Sequence, residues 1–306
     1  MQARSKHRLK RLGIVGQTGQ LARALKDYCD THQIETVTLG RNSLDLSRGS
    51  KHIKNALLAY KDCDALINAA AYTAVDAAEE DEETALQVNS KAPEIFAQYC
   101  KQTHIPFVHI STDYVFDGKN QEPYETGHPT APLGIYGATK LAGEEAIQKI
   151  GGQCAILRTS WVYDGVGKNF MTTMLRLAET RDTLNVVHDQ KGRPTYAPDL
   201  AEASLVATQA LLNDQEGAVG IFHVSNSGPV ISWADFARAI FEIAKPYLEN
   251  NMTVYNIPSE DYPTPAKRPA YSGLNISKFE YVFRMRLPDW SSSLEHAISV
   301  WADSNR

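Results

Sequence analysis

The sequence predicts an α/β chain, a doubly wound parallel sheet with a smaller C-terminal lobe interleaved with it. Three observations predict this fold class. Short apolar runs alternate with segments of helical spacing from residue 11 to about 164. The first apolar run ends in glycines spaced by three. Beyond residue 165 the alternation loosens. Strands that alternate with helices need crossover connections, and these bring parallel strands under helices on both faces.

The elements follow in order. RLGIVG (11–16) reads as a buried strand and QLARALKDYC (20–29) as a helix. ETVTLG (35–40) is a second strand. KHIKNALLAY (51–60) has helical spacing, and DALINAAA (64–71) is a third strand. TALQVNSKAPEIFAQYCKQ (84–102) is helical, with Pro93 splitting it or starting its main part. PFVHISTDYVF (106–116) is a fourth strand. YGATKLAGE opens a helix at Tyr136, and CAILRTSWVY (154–163) is a further strand. The second half holds helices in NFMTTMLRLAE, LAEASLVATQALLN and SWADFARAIFEIAKPYL, the last capped by Ser232. LNVVHD, GIFHVSN and MTVYNIP are strands, and a final helix lies near SSSLEHAISVWA. The expected organisation is a basic extension at 1–10, a nucleotide-binding unit at 11–164, and mainly a substrate lobe at 165–306.

Bulk properties exclude several classes. With 306 residues and 43% hydrophobic residues, the chain can bury a substantial core. The net charge of −5 argues against a nucleic-acid surface. The basic run RSKHRLKRL reads as a solvated extension, because the apolar stretch after it is too short for a signal peptide. No apolar run approaches the ~20 residues that span a bilayer. The four cysteines have no metal-like spacing, and Cys63 and Cys154 adjoin strands as buried thiols would. The expected compartment is the cytoplasm.

Gly13, Gly16 and Gly19 stand at the first strand-to-helix junction. Glycines there permit a tight turn and close approach of a pyrophosphate to the helix N-terminus. Gln17, Thr18 and Gln20 add polar groups without bulk. The other reading is a tight turn without a ligand. At the tip of the second strand no acidic residue is present to take a ribose hydroxyl. Arg41 there suits a 2′-phosphate, which favours NADPH over NADH, or is simply a surface arginine. Asp45 and Leu46 could lie along an adenine. Ala69, Ala70 and Ala71 leave room for a cofactor at the strand end, or pack a helix closely.

The fourth strand ends in Ser111, Thr112, Asp113 and Tyr114, an abrupt change from apolar residues. In an open parallel sheet that end faces the ligand crevice. Either hydroxyl, Ser111 or Thr112, could bond a substrate carbonyl. Among the 14 tyrosines only Tyr136 has a lysine four residues later, Lys140, one helical turn away. The pair is either a packed surface pair or an acid tuned by a cation. In the second reading the ammonium, with a nicotinamide ring, lowers the phenol from its ordinary pKa of about 10. The phenol then donates a proton to a carbonyl that receives hydride.

GQTGQLARAL, NAAAYTAVDAAE, STDYVFDG, APLGIYGATKLAGE, LRTSWVYDGVGKNF, VVHDQKGRPT and YPTPAKRPAYSGLN together resemble the dTDP-4-dehydrorhamnose reductase family. This family lies in the extended short-chain dehydrogenase/reductase superfamily. The motifs occur in the family's order from about residue 11 to 290. The resemblance implies a Rossmann-type fold and reduction of C4 of dTDP-4-dehydro-L-rhamnose by NADPH or NADH. It implies that Thr112 orients the C4 oxygen, Tyr136 protonates it, and Lys140 supports both the tyrosine and the cofactor ribose. Gly19, Gln20 and Leu21 match its pyrophosphate turn, and Asp45 and Leu46 its adenine contacts. Ala71, Tyr72 and Thr73 match residues along the cofactor. Thr73, Val75, Thr112, Asp113, Tyr136 and Trp161 match the sugar-nucleotide side.

Three positions depart from the family. The basic extension is longer than usual. Gly273 stands where an arginine is common. Ala24 falls where some relatives place an acidic ligand to a metal that bridges a dimer, so no such metal is expected and a homodimer stays open. Two rivals share the fold. One is a sugar-nucleotide dehydratase or epimerase, of which the dehydratases usually carry glutamate where Tyr114 stands. A regulatory subunit resembling the beta subunit of methionine adenosyltransferase would bind cofactor without turnover.

Overall fold

The computed structural model describes residues 7–249 and 251–305. Five strands of the first half are β1 (Arg11–Val15), β2 (Glu35–Leu39), β3 (Ala65–Asn68), β4 (Phe107–Thr112) and β5 (Cys154–Thr159). With Gly220–His223 they form one parallel sheet, in the order Gly220–His223, β5, β4, β3, β1, β2. β3 and β5 are buried along their whole length. This explains why they read as unbroken apolar runs rather than alternating ones.

Helices cover both faces. Gln20–Thr31, called α1, and Ala197–Leu212 bury Leu21, Leu25, Leu200 and Leu211 against one face. The second of these helices presents alanines to the sheet, which lets its backbone lie close. Ala92–Thr103 and Ile135–Ile150 cover the other face, with Ile95, Phe96 and Ile147 against Phe107 and Ile156. A separate apolar cluster of Met171, Leu175, Phe236, Ile240, Trp290 and Leu294 holds the C-terminal lobe together. Within the lobe, Thr183–Val187 pairs in parallel with Thr253–Ile257. The helix Trp233–Ala244 starts with a capping box in which Ser232 and Asp235 exchange bonds, as the sequence suggested for Ser232.

The structure corrects several sequence expectations. Residues 1–6 of the basic extension lie outside the described residues. From His7 onward the chain is not a solvated arm. Leu9 is buried in the main core, its N–H donates to Gln209 Oε1 at 3.1 Å, and Lys10 N–H donates to Asp64 at 2.8 Å. The fourth strand stops at Thr112, because a 3₁₀ turn over Asp113–Val115 follows. The strand expected over 154–163 breaks at Trp161. This residue has φ 49°, a left-handed conformation that no strand continues through. A π turn, Gln87–Lys91, interrupts the helical run before Pro93. The helix Ser277–Phe283 was not anticipated.

The helix that carries Tyr136 lies close to its neighbours. A Cβ at Gly143 would collide with the Asn89 carbonyl, and one at Gly137 with the Tyr114 carbonyl. Glycine at both points lets the helix approach the π turn and the end of β4. The helix has no side-chain cap of its own. Instead Glu79 Oε1 accepts the Ile135 N–H at 2.8 Å and places a carboxylate at the positive helix end.

Candidate active site

Tyr136 and Lys140 lie one turn apart on the helix Ile135–Ile150. Thr112 ends β4 beside them. Its hydroxyl lies against the Tyr136 phenol and donates to Asp113 Oδ1 at 3.0 Å. Tyr114 packs the edge of its ring on Tyr136, with centroids 5.4 Å apart. The sheet topology thus brings hydroxyl, phenol and ammonium together at the carboxyl end of the central strands.

The electrostatics differ from the sequence expectation. Lys140 is 2% exposed, and its Nζ donates to the Ile110 carbonyl at 2.6 Å. Burial pulls this ammonium down to about 8, while Glu144 opposes the shift. The Tyr136 phenol is not depressed by Lys140 in the protein alone. Burial pushes it well up, the Thr112 hydroxyl offsets part of that, and Asp113 and Tyr114 add to it. Asp113 is buried and raised to about 6, against hydrogen bonds from Ser272 and Thr112. Its Oδ1 accepts from Thr112, and its Oδ2 is buried without a protein hydrogen-bond partner.

Of the two hydroxyls considered, Ser111 is committed elsewhere. It donates to Glu144 Oε1 at 2.5 Å. Glu144 also receives Arg158, whose Nη2 lies 2.6 Å from Oε2 and whose Nε lies 2.9 Å from Oε1. This ion pair is almost fully buried. It ties the helix of Tyr136 to β5.

The glycine turn divides its roles. Gly16 has φ 113° and passes within van der Waals contact of the Ala69 backbone, so it makes the turn. Gly13 is a correction. It lies mid-strand, and its missing side chain makes room for the Tyr60 ring, which would sit 2.7 Å from a Cβ there. It packs the core and does not contribute to the turn. Gly19 precedes α1 with no side-chain cap, and nothing lies within 4 Å of a Cβ built there. Gln17 and Thr18 are exposed, and Leu21 is buried beneath them. Gln20 reaches the Val162 carbonyl at 3.2 Å, while its Oε1 lacks a partner. Open glycine backbone before an uncapped helix end fits a dinucleotide pyrophosphate.

Arg41 is exposed beyond the tip of β2. Asp45 Oδ1 already accepts the Ser47 N–H at 3.0 Å and the Ser47 hydroxyl at 2.7 Å, which leaves Oδ2 for any adenine contact. Leu46 is buried in the core. Ala69, Ala70 and Ala71 are half-buried after β3. Tyr72 is held by Asn89, which exchanges bonds with its N–H at 2.9 Å and its carbonyl at 3.2 Å. Asn89 also donates to Thr139 at 3.2 Å, so the cofactor-side loop and the helix of Tyr136 share one anchor. Sequence reading missed Asn89. The only signal was a polar triplet, Asn89-Ser90-Lys91, inside a helical run.

A cleft of about 1320 Å³ opens between the sheet and the C-terminal lobe, lined by Thr73, Ala74, Phe170, Trp233 and Arg268 among others. Tyr136 does not line it; Arg268 on its wall connects to Tyr136 through Tyr114. The guanidinium donates to the Tyr114 hydroxyl at 3.1 Å and to Asp76 at 2.7 Å. Val75 opens the short helix Val75–Ala78 at this edge. Trp161 does not line the cleft. One face of its indole is stacked on Trp233, 3.4 Å between centroids, and its edge meets Gly192. Sequence reading did not single out Arg268, because its role depends on contacts some 150 residues away. Among the described residues, no helix is long and apolar enough to cross a membrane.

A sequence model of the family described as RmlD substrate binding domain matches residues 10–302. The dTDP-4-dehydrorhamnose reductase of Sinorhizobium fredii is 41% identical over 293 residues, covering 95% of this chain and 97% of the relative. The crystal structure of a dTDP-4-dehydrorhamnose reductase from Clostridium acetobutylicum superposes with a TM-score of 0.87 at 34% identity, over 95% of this chain and 99% of that one. The same enzyme from Bacillus anthracis, solved in complex with NADP, gives a TM-score of 0.87 at 32% identity, again over 95% and 99%.

Proposed function

Because this chain belongs to the dTDP-4-dehydrorhamnose reductase family, an oxidoreductase family, we propose that it reduces the C4 keto group of dTDP-4-dehydro-L-rhamnose to give dTDP-L-rhamnose. One observation carries the reading. Thr112 lies against Tyr136 at the carboxyl end of β4, Lys140 follows one helical turn on, and Arg268 links Tyr114 there to a cleft of about 1320 Å³. A regulatory subunit would not need that set intact.

The nicotinamide cofactor, when bound, supplies the hydride. Gly16, Gly19 and the N-terminus of α1 would hold its pyrophosphate, and Ala71 to Thr73 would flank it. Thr112 orients the C4 oxygen by turning its single hydroxyl proton from Asp113 Oδ1, which accepts it in the protein alone, to that oxygen. Tyr136 gives its phenolic proton to the same oxygen. Its raised pKa in the protein alone keeps it protonated but makes it a weaker acid. Lys140 makes the phenolate that follows less costly. Tyr114, where a dehydratase would carry a carboxylate, bonds Arg268 instead. We place Val75 at the rim of the sugar pocket and Trp161 behind Trp233, which lines it.

Reduction with nicotinamide deuterated at the transferring position tests the reading. Deuterium should appear at C4 of the sugar product. Product without deuterium at C4 would contradict it. Arg41 carries the cofactor preference. Arg41→Ala should weaken NADPH binding by roughly 10-fold or more, the loss of one charge-assisted bond, and leave NADH nearly unchanged. Fluorescence titration of both cofactors checks this.

A further inference from the structure

The chemistry above does not use His109 or Asn68, yet both are buried directly behind Lys140. His109 Nε2 lies 3.4 Å from Lys140 Nζ, and His109 Nδ1 lies 3.1 Å from Asn68 Nδ2. We infer that Asn68 and His109 are positioning residues for Lys140: Asn68 locks His109 in the Nε2–H tautomer, and His109 aims that N–H at the lysine nitrogen. This rests on the role proposed for Lys140.

The lock follows from the bonds of Asn68. Its Oδ1 accepts the Ala70 N–H at 3.2 Å. That fixes the amide orientation and leaves the NH₂ group facing the imidazole. The amide then donates, so Nδ1 must accept. The ring is neutral, because burial and the neighbouring Lys140 hold its pKa well below the ordinary histidine value. A neutral imidazole that accepts at Nδ1 carries its proton on Nε2. That proton faces Lys140 Nζ.

Lys140 therefore has a partner in each protonation state. As ammonium it donates to the Ile110 carbonyl at 2.6 Å. As amine it can also accept from His109. A donor aimed at the nitrogen disfavours the ammonium, and burial acts in the same direction. The charges around Lys140 are few. Glu144 on its own helix favours the ammonium, but it is engaged by Arg158 from β5 and Ser111 from β4. Tyr136 shares the helix, and His109 and the Ile110 carbonyl face Lys140 from β4. Asn68 stands behind His109 on β3. The arrangement keeps Lys140 able to exchange a proton near neutral pH, so His109 and Asn68 set how much of the charge that eases the Tyr136 phenolate is present.

Asn68→Asp reverses the lock. A carboxylate accepts from Nδ1–H, so the Nε2 lone pair turns toward Lys140 and favours the ammonium. Two readouts test this. In ¹⁵N-histidine-labelled wild-type protein without ligands, His109 should show a protonated Nε2 and an unprotonated Nδ1, and Asn68→Asp should exchange them. The alkaline limb of the reductive kcat/KM profile should move up by about one pH unit in the variant. A wild-type Nδ1–H tautomer would overturn the inference. So would an unmoved limb in a folded variant whose tautomer has reversed. If Asn68→Asp does not fold, the wild-type tautomer still decides. Lack of keto-sugar turnover would overturn only the proposed reaction, since the tautomer is read on the protein alone.

Discussion

Tyr136→Phe lowers kcat by roughly 10²–10⁴-fold and leaves NADPH affinity nearly unchanged. The substitution removes one oxygen and its proton. A 10³-fold loss corresponds to about 4 kcal/mol of transition-state stabilisation. The ring keeps its edge contact with Tyr114, 5.4 Å between centroids, so the pocket should hold its shape. In the proposed binding mode the glycine turn and the loop after β3 hold the cofactor, with Tyr136 at most one contact among many. Stopped-flow reduction with a separate cofactor titration divides the two effects. Equal losses in kcat and cofactor affinity would mean that the tyrosine is a binding residue.

Arg158→Met destabilises the fold by about 3–5 kcal/mol. Arg158 and Glu144 are 3% and 0% exposed, and the guanidinium makes a bidentate contact. Removing the arginine leaves Glu144 charged in the core, with only Ser111 at 2.5 Å to satisfy it. The cost comes from the stranded carboxylate more than from the lost attraction. Replacing both partners, Arg158→Met with Glu144→Leu, should recover a large part of the loss, because no charge is then stranded. Urea unfolding of the two variants measures the difference. A double variant as unstable as the single one would show that the loss comes from packing.

The sheet strands were legible because most are buried on both faces, and such strands must be apolar runs. LINA, VHIS and AILR are read almost without regard to context. The strand ends were less legible. Trp161 breaks its strand through a left-handed backbone held by stacking on Trp233, and that contact joins residues 72 positions apart in the chain. The helix Ser277–Phe283 follows a proline-rich loop and owes its existence to packing of Phe279 and Phe283 on Phe222.

For the site, sequence spacing was enough to pair Tyr136 with Lys140, since one helical turn fixes that distance. It could not reveal what Lys140 touches. His109 and Ile110 reach it from β4, with Asn68 of β3 behind His109, and only the sheet register brings them there. The expectation that Lys140 depresses the phenol treated the pair as isolated. In the protein alone burial dominates both groups, and neither is among the neighbours that shift the other. Gly13 was misassigned for a similar reason. A glycine in a spaced motif looks like part of the turn until the Tyr60 ring is seen against it.

The central claim is that this site reduces a 4-keto sugar nucleotide. The most direct test supplies dTDP-4-dehydro-L-rhamnose and NADPH to the purified protein and follows absorbance of the reduced nicotinamide with chromatography of the sugar nucleotide. The account predicts oxidation of one NADPH for each dTDP-L-rhamnose formed. Product formed with no added NADPH, or no oxidation of NADPH in the presence of the keto sugar, would contradict it.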